Sequence, residues 1–118
     1  MTLSKKIRET SGVLFRPVGA FSGHFELANE DKTKSCEVTV QVLDWEDSQA
    51  PKVIFEETFE IDPRTRVAVD VVVPNHYSFE VKKDNSKCIG NLFLLDQDGC
   101  TVGYTVLASD FIDVSHCS

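Results

Sequence analysis

Four cysteines, at positions 36, 88, 100 and 117, are the residues of this sequence best suited to covalent chemistry. An even set permits two disulfides, while the absence of a Cys-x-x-Cys pair disfavours a zinc knuckle or a thioredoxin-like redox site. If the stretches Cys88 to Leu95 and Cys100 to Ala108 form a hairpin around Gln97-Asp98-Gly99, Cys88 and Cys100 stand at its opposite ends. At ~3.3 Å per residue that is roughly 20 to 25 Å, too far for a bond that needs Cα atoms within about 7 Å. Cys117, in the polar tail Ser115-His116-Cys117-Ser118, is placed to reach another chain as easily as its own. The plain alternative is that Cys36 is a small buried hydrophobe and the others are idle thiols.

The remaining reactive side chains do not converge. His24, His76 and His116 have no metal-ligand spacing to one another or to the cysteines, so they are expected to be ordinary surface residues. No Gly-x-Ser-x-Gly elbow is present to activate a serine. Asp96-Gln97-Asp98-Gly99 resembles the opening of a calcium loop but lacks the later ligands and the closing Glu. An Asp-Gly hairpin turn explains the same letters, because Gly tolerates the positive φ such turns use. Asp44, Glu46 and Asp47 could add carboxylates if the loops meet at one end of the fold. Phe55, Phe59, Tyr77 and Phe79 point inward by parity, which leaves Trp45, in a loop, as the ring available to stack on a sugar.

The elements that would hold these residues follow from periodicity. Apolar residues alternate at period two, with turn residues every eight to twelve positions, and no window sustains a helical repeat. Strands are predicted near Ala20 to Asn29 (Phe21, Gly23, Phe25 and Leu27 inward) and near Cys36 to Leu43 (Cys36, Val38, Val40 and Val42 inward). Val53 to Ile61 follows, with Val53, Phe55, Phe59 and Ile61 inward, and Asp62-Pro63-Arg64-Thr65 reads as a type I turn closing a hairpin with Arg66 to Val73. Tyr77 to Lys83, Cys88 to Leu95, Cys100 to Ala108 and a short strand around Phe111 to Val114 complete the body, with Gly12 to Val18 as a possible first strand. Cys88 to Leu95 is apolar on both faces, as expected of a central strand or of one covered by a second body. Eight to nine short strands in 118 residues describe an all-β chain: a single antiparallel β-sandwich of jelly-roll or immunoglobulin-like topology over residues 12–118. Residues 1–11 are expected to form a flexible N-terminal arm.

Charge divides the chain unevenly. Residues 1–17 hold Lys5, Lys6, Arg8 and Arg16 against Glu9, whereas the whole chain carries −7. An acidic body of this kind should repel nucleic acid and anionic lipid, so neither is an expected partner. No apolar run approaches the roughly 20 residues a membrane span needs, and no apolar stretch follows Lys5 and Lys6 as a secretory signal would require. A basic arm on an acidic body can be a solvated tail, or it can dock on a neighbouring copy through Leu3, Lys5, Lys6, Ile7 and Arg8.

Several patches carry a resemblance: Phe25-Glu26-Leu27-Ala28-Asn29, Val38-Thr39-Val40-Gln41-Val42-Leu43-Asp44-Trp45, Phe59-Glu60-Ile61-Asp62-Pro63, Tyr77-Ser78-Phe79-Glu80-Val81 and Thr105-Val106-Leu107-Ala108-Ser109-Asp110-Phe111. Over residues 20–114 the chain resembles small β-sandwich proteins of spore-forming Firmicutes, similar to subunits of endospore appendages and spore-surface fibres. The resemblance implies a non-enzymatic structural subunit that self-assembles head to tail by strand complementation, the arm of one subunit entering the next, with disulfides among Cys36, Cys88, Cys100 and Cys117 as cross-links. It also implies a place on the spore or cell surface reached without a signal peptide. This sequence departs from such subunits in having no cysteine in its arm. The alternative expectation is a monomeric ligand-binding module for sugar or calcium, and no cofactor is expected in either case.

Overall fold

A computed structural model of the chain describes residues 6–47 and 49–115. It is all-β: two antiparallel sheets pack face to face as a sandwich. Ten strands are present among the described residues, with one 3-10 turn at Ala108–Asp110: β1 (Ile7–Thr10), β2 (Leu14–Phe15), β3 (Ser22–Asn29), β4 (Cys36–Asp44), β5 (Lys52–Ile61), β6 (Arg66–Val72), β7 (His76–Lys83), β8 (Cys88–Leu95), β9 (Thr101–Val106) and β10 (Ile112–Asp113). The first sheet runs β10-β1-β7-β4-β5, with β2 also on β7, and the second runs β6-β3-β8-β9. β1 and β2 lie along the same neighbour and are separated at Gly12, whose φ of 74° a residue with a Cβ adopts only with strain.

The pairings β4 with β5, β3 with β6 and β2 with β7 are nested inside one another. That is a long antiparallel ribbon rolled onto itself, the wrapping of a jelly roll. It corrects the expected hairpin between residues 53–61 and 66–73, because β5 and β6 belong to different sheets. The turn between them is stitched to the end of β3 instead: Arg64 N–H donates to the Asn29 carbonyl at 3.0 Å, and Asn29 N–H to the Thr65 carbonyl at 2.9 Å. Arg64 takes φ 60° to make this crossing.

Alternation places the core as expected. Val38, Val40, Val42, Tyr77 and Phe79 from the first sheet meet Phe25, Leu27, Val71, Leu92 and Leu94 from the second, all of them buried. Full burial of such side chains stabilises by about 1.5–3 kcal/mol each. Gly90 faces inward because Phe25 fills the space where its side chain would stand: a Cβ there would lie 2.5 Å from Phe25 Cζ.

Two inward assignments fail. Val53 is exposed, since a bulge between Val42 and Leu43 sets Val42 against Phe55 and Leu43 against Val53, which turns Val53 to the outer face. Phe21 precedes β3 and remains partly exposed, although its N–H is held by the Leu95 carbonyl. β8 is the central strand its composition implies, flanked by β3 and β9. Within the stretch expected to be an arm, Ile7 to Thr10 is a strand of the sheet, and residues 1–5 lie outside the described residues.

Candidate functional site

β1 owes its place to polar groups more than to apolar ones. It sits between β7 and β10, with Ile7 opposite Lys83 and Arg8 opposite Lys82. Arg8 N–H donates to Ser115 Oγ at 2.9 Å, and Val114 N–H to the Arg8 carbonyl at 2.8 Å. The parity that turns Tyr77, Phe79 and Val81 inward also carries Lys83 inward, where it is buried. Its ammonium is compensated on both sides: Glu9 of β1 accepts at 2.8 Å and the Cys88 carbonyl at 2.7 Å. Glu9 reaches it as the diagonal neighbour across the β1–β7 ladder. Extending the period-two pattern of β7 by one step, from Val81 to Lys83, is the sequence signal that Lys83 points inward.

Of the arm residues named from sequence, Ile7 and Arg8 fall within the chain's own first sheet. Lys6 Nζ donates to Glu37 at 2.6 Å, a contact that raises the Lys6 pKa, chiefly through that hydrogen bond. Ile7 faces inward beside Glu9, while Arg8 faces outward. Leu3 and Lys5 lie outside the described residues, as do His116 and Cys117.

The cysteines separate into two environments. Cys36 on β4 and Cys88 on β8 are both fully buried, one on each sheet, and near enough for each thiol to influence the other's pKa. Burial pushes the Cys36 thiol up to about 12 and raises Cys88 as well. Cys100 is exposed, and its N–H donates to Asp96 Oδ1 at 2.9 Å. Cys36, Cys88 and Cys100 are all free thiols.

The first sheet ends on its far side at β5, ten residues long, with no strand beyond it among the described residues. That edge exposes Val53 and Ile54 together with Glu56, Glu57 and Glu60. An unpaired row of N–H and C=O groups of this length is a template for another strand. On the outer face of the same sheet, a hollow of about 460 Å³ lies between Arg8, Lys82, Glu80, Gln41, Glu56 and Thr58. Thr39 and Thr58 join their hydroxyls at 2.8 Å across it.

The end loops offer less than the sequence allowed. The indole N–H of Trp45 donates to Ser78 Oγ at 2.8 Å, so the ring covers β7 and does not stand free. Asp96 Oδ1 accepts the N–H groups of Asp98 and Cys100, which makes it the staple of its own turn. No group of three His, Cys, Asp or Glu side chains suited to a metal ion occurs among the described residues. His24 and His76 lie at the surface, paired with carboxylates: His24 with Asp70 and Glu26, His76 with Glu46.

No family model matches the chain, and no curated protein matches it. Among solved structures its fold is similar to that of the Thermotoga maritima protein 1070, with a TM-score of 0.56 and 15% sequence identity. The match covers 91% of this chain and 94% of that one. At this identity the likeness concerns the fold alone.

Proposed function

We propose that the protein is a non-enzymatic structural subunit that associates head to tail with copies of itself into a fibre or layer on a spore or cell surface. The observation that carries this reading is the free β5 edge, ten residues long and tipped with exposed Val53 and Ile54. A second copy is its natural occupant. Symmetric antiparallel pairing of two β5 strands about their centre would set Glu56 of each copy against Glu57 of the other, and like charges directly opposite are destabilising. The basic N-terminal segment with Lys5, Lys6 and Arg8 has the complementary charge. A contact between two different surfaces is heterologous, so it grows open filaments when its rotation does not close. Cross-links between subunits fall to the exposed Cys100 and to Cys117, since Cys36 and Cys88 are buried. The strand patches that resemble those of spore-surface subunits, such as Phe25-Glu26-Leu27-Ala28-Asn29, favour the same setting.

Light scattering and negative-stain microscopy of the purified protein test this. Large assemblies are expected at low salt, shrinking as salt rises and as residues 1–5 are removed. The double substitution Val53→Lys and Ile54→Lys, at two exposed positions, should abolish them while leaving the melting temperature within a few degrees. A wild-type protein that stays a single particle at millimolar concentration would rule the proposal out.

A further inference from the structure

We propose that Cys36 and Cys88 close a disulfide between the two sheets when the chain folds in the presence of a low-molecular-weight disulfide oxidant. Cys36 is the first residue of β4, paired with Ile61 in the first sheet, and Cys88 is the first residue of β8, paired with Asn29 in the second. Both side chains are 0% exposed and lie between the sheets, each near enough to influence the other's thiol. The Asn85 carbonyl ties the two together, accepting Cys88 N–H at 3.2 Å and lying 3.9 Å from Cys36 Sγ. Cys88 is further held by Lys83, whose ammonium donates to its carbonyl. The strands of opposite sheets on which they stand make Cys36 and Cys88 the pair that the finished fold accommodates. Cys100, exposed in the β8–β9 turn, is excluded from the pair.

The chemistry is two exchanges. The thiolate of one cysteine attacks the S–S bond of the oxidant, forming a mixed disulfide and expelling one small thiolate. The thiolate of the second cysteine then attacks the protein-side sulfur and expels the other. The protein gives up two protons and two electrons, and the oxidant leaves as two thiols. Burial holds both folded thiols in the protonated, unreactive form, so the exchange belongs to the folding chain, before the sheets close. The same burial afterwards shields the bond from reductants.

This inference concerns the single chain and holds whether or not copies associate. Reduced full-length protein, unfolded in urea, is refolded in mixed reduced and oxidised glutathione, alkylated and mapped by mass spectrometry. Expected is one linked peptide pair joining Cys36 to Cys88, lighter by two hydrogens than the reduced peptides, and a melting temperature on the order of 10 °C above that of the reduced protein. The variant Cys100→Ser with Cys117→Ser should keep both the link and the rise, and Cys36→Ser should melt alike with and without oxidant. Should Cys36→Ser fail to fold, the peptide map and the first variant still decide. A folded product that retains both thiols, or that links either cysteine to Cys100, Cys117 or glutathione, overturns the proposal.

Discussion

His24 lies between two acids on the outer face of the second sheet, with Nδ1 2.7 Å from Asp70 and Nε2 3.0 Å from Glu26, while Arg66 approaches Glu26 at 3.3 Å. Its pKa is raised from the ordinary 6.5, first by the hydrogen bond to Glu26 and then by Asp70. A raised folded value means the protonated ring stabilises the fold below pH 6.5 and that this contribution is lost as pH climbs through the folded pKa. Glu26 behaves oppositely: its lowered pKa, caused chiefly by His24, contributes above 4.5 and is lost as pH falls. His24→Ala should therefore cost most between these values and little near pH 9 or above, and urea midpoints at about pH 5.5 and pH 9 measure it. With the side chain 25% exposed and its acids more so, the cost should stay within about 1 kcal/mol.

Lys83 calls for a larger response. Glu9→Ala leaves a buried ammonium without its carboxylate and is expected to destabilise by on the order of 3 kcal/mol in urea unfolding. Replacing both partners by Met should bring stability back to within ~1 kcal/mol of the parent, because no uncompensated charge remains. Either result outside these bounds would mean that β1 is held by something other than this pair. The individual pairs are hidden from sequence because register decides them. His24 meets Asp70 only once β3 lies on β6, and Glu9 meets Lys83 only once β1 lies on β7.

At the level of strands, the sequence is legible where period two has one buried face. β3, β4, β6 and β7 lie close to their expected bounds, since one parity of each is apolar and the sandwich buries that parity. It is less legible where a strand lies at an edge or bends. β5 keeps Phe55, Phe59 and Ile61 toward the core but turns Val53 out, as the bulge sits in the pairing and leaves no mark in the letters. Partition between sheets is likewise hidden: Asp62-Pro63 marks a turn but not the direction of the chain after it. Gly90 illustrates a constraint set by the opposing element. Gly90→Ala, modest by strand propensity alone, is expected to cost about 1–3 kcal/mol by calorimetry or denaturant, since Phe25 Cζ and Leu27 Cδ2 would both have to yield. A neutral outcome would show that the Phe25 ring, the Leu27 side chain and β8 can part without loss.

Over the whole molecule, the sandwich class is legible because a chain of 118 residues with regular turns has few other ways to bury so many alternating faces. The proposed assembly site is legible only in part. Composition marks the basic segment and the acidic body, but nothing in the sequence identifies β5 as an edge strand, because strand order follows from the nesting of the whole ribbon. The cysteine pair shows the same gap. Spacing rules out a link from Cys88 to Cys100, whereas the meeting of Cys36 with Cys88 depends on how β4 and β8 face each other across the core.

The position of β1 between β7 and β10 has a consequence for biosynthesis. Arg8 shares hydrogen bonds with Val114 and Ser115, so it is seated by residues made more than a hundred positions later. A ribosome translating this chain must emit residue 115 before β1 can dock on both sides. Until then β1 can lie on β7 and bring Glu9 to Lys83, but its other margin stands open.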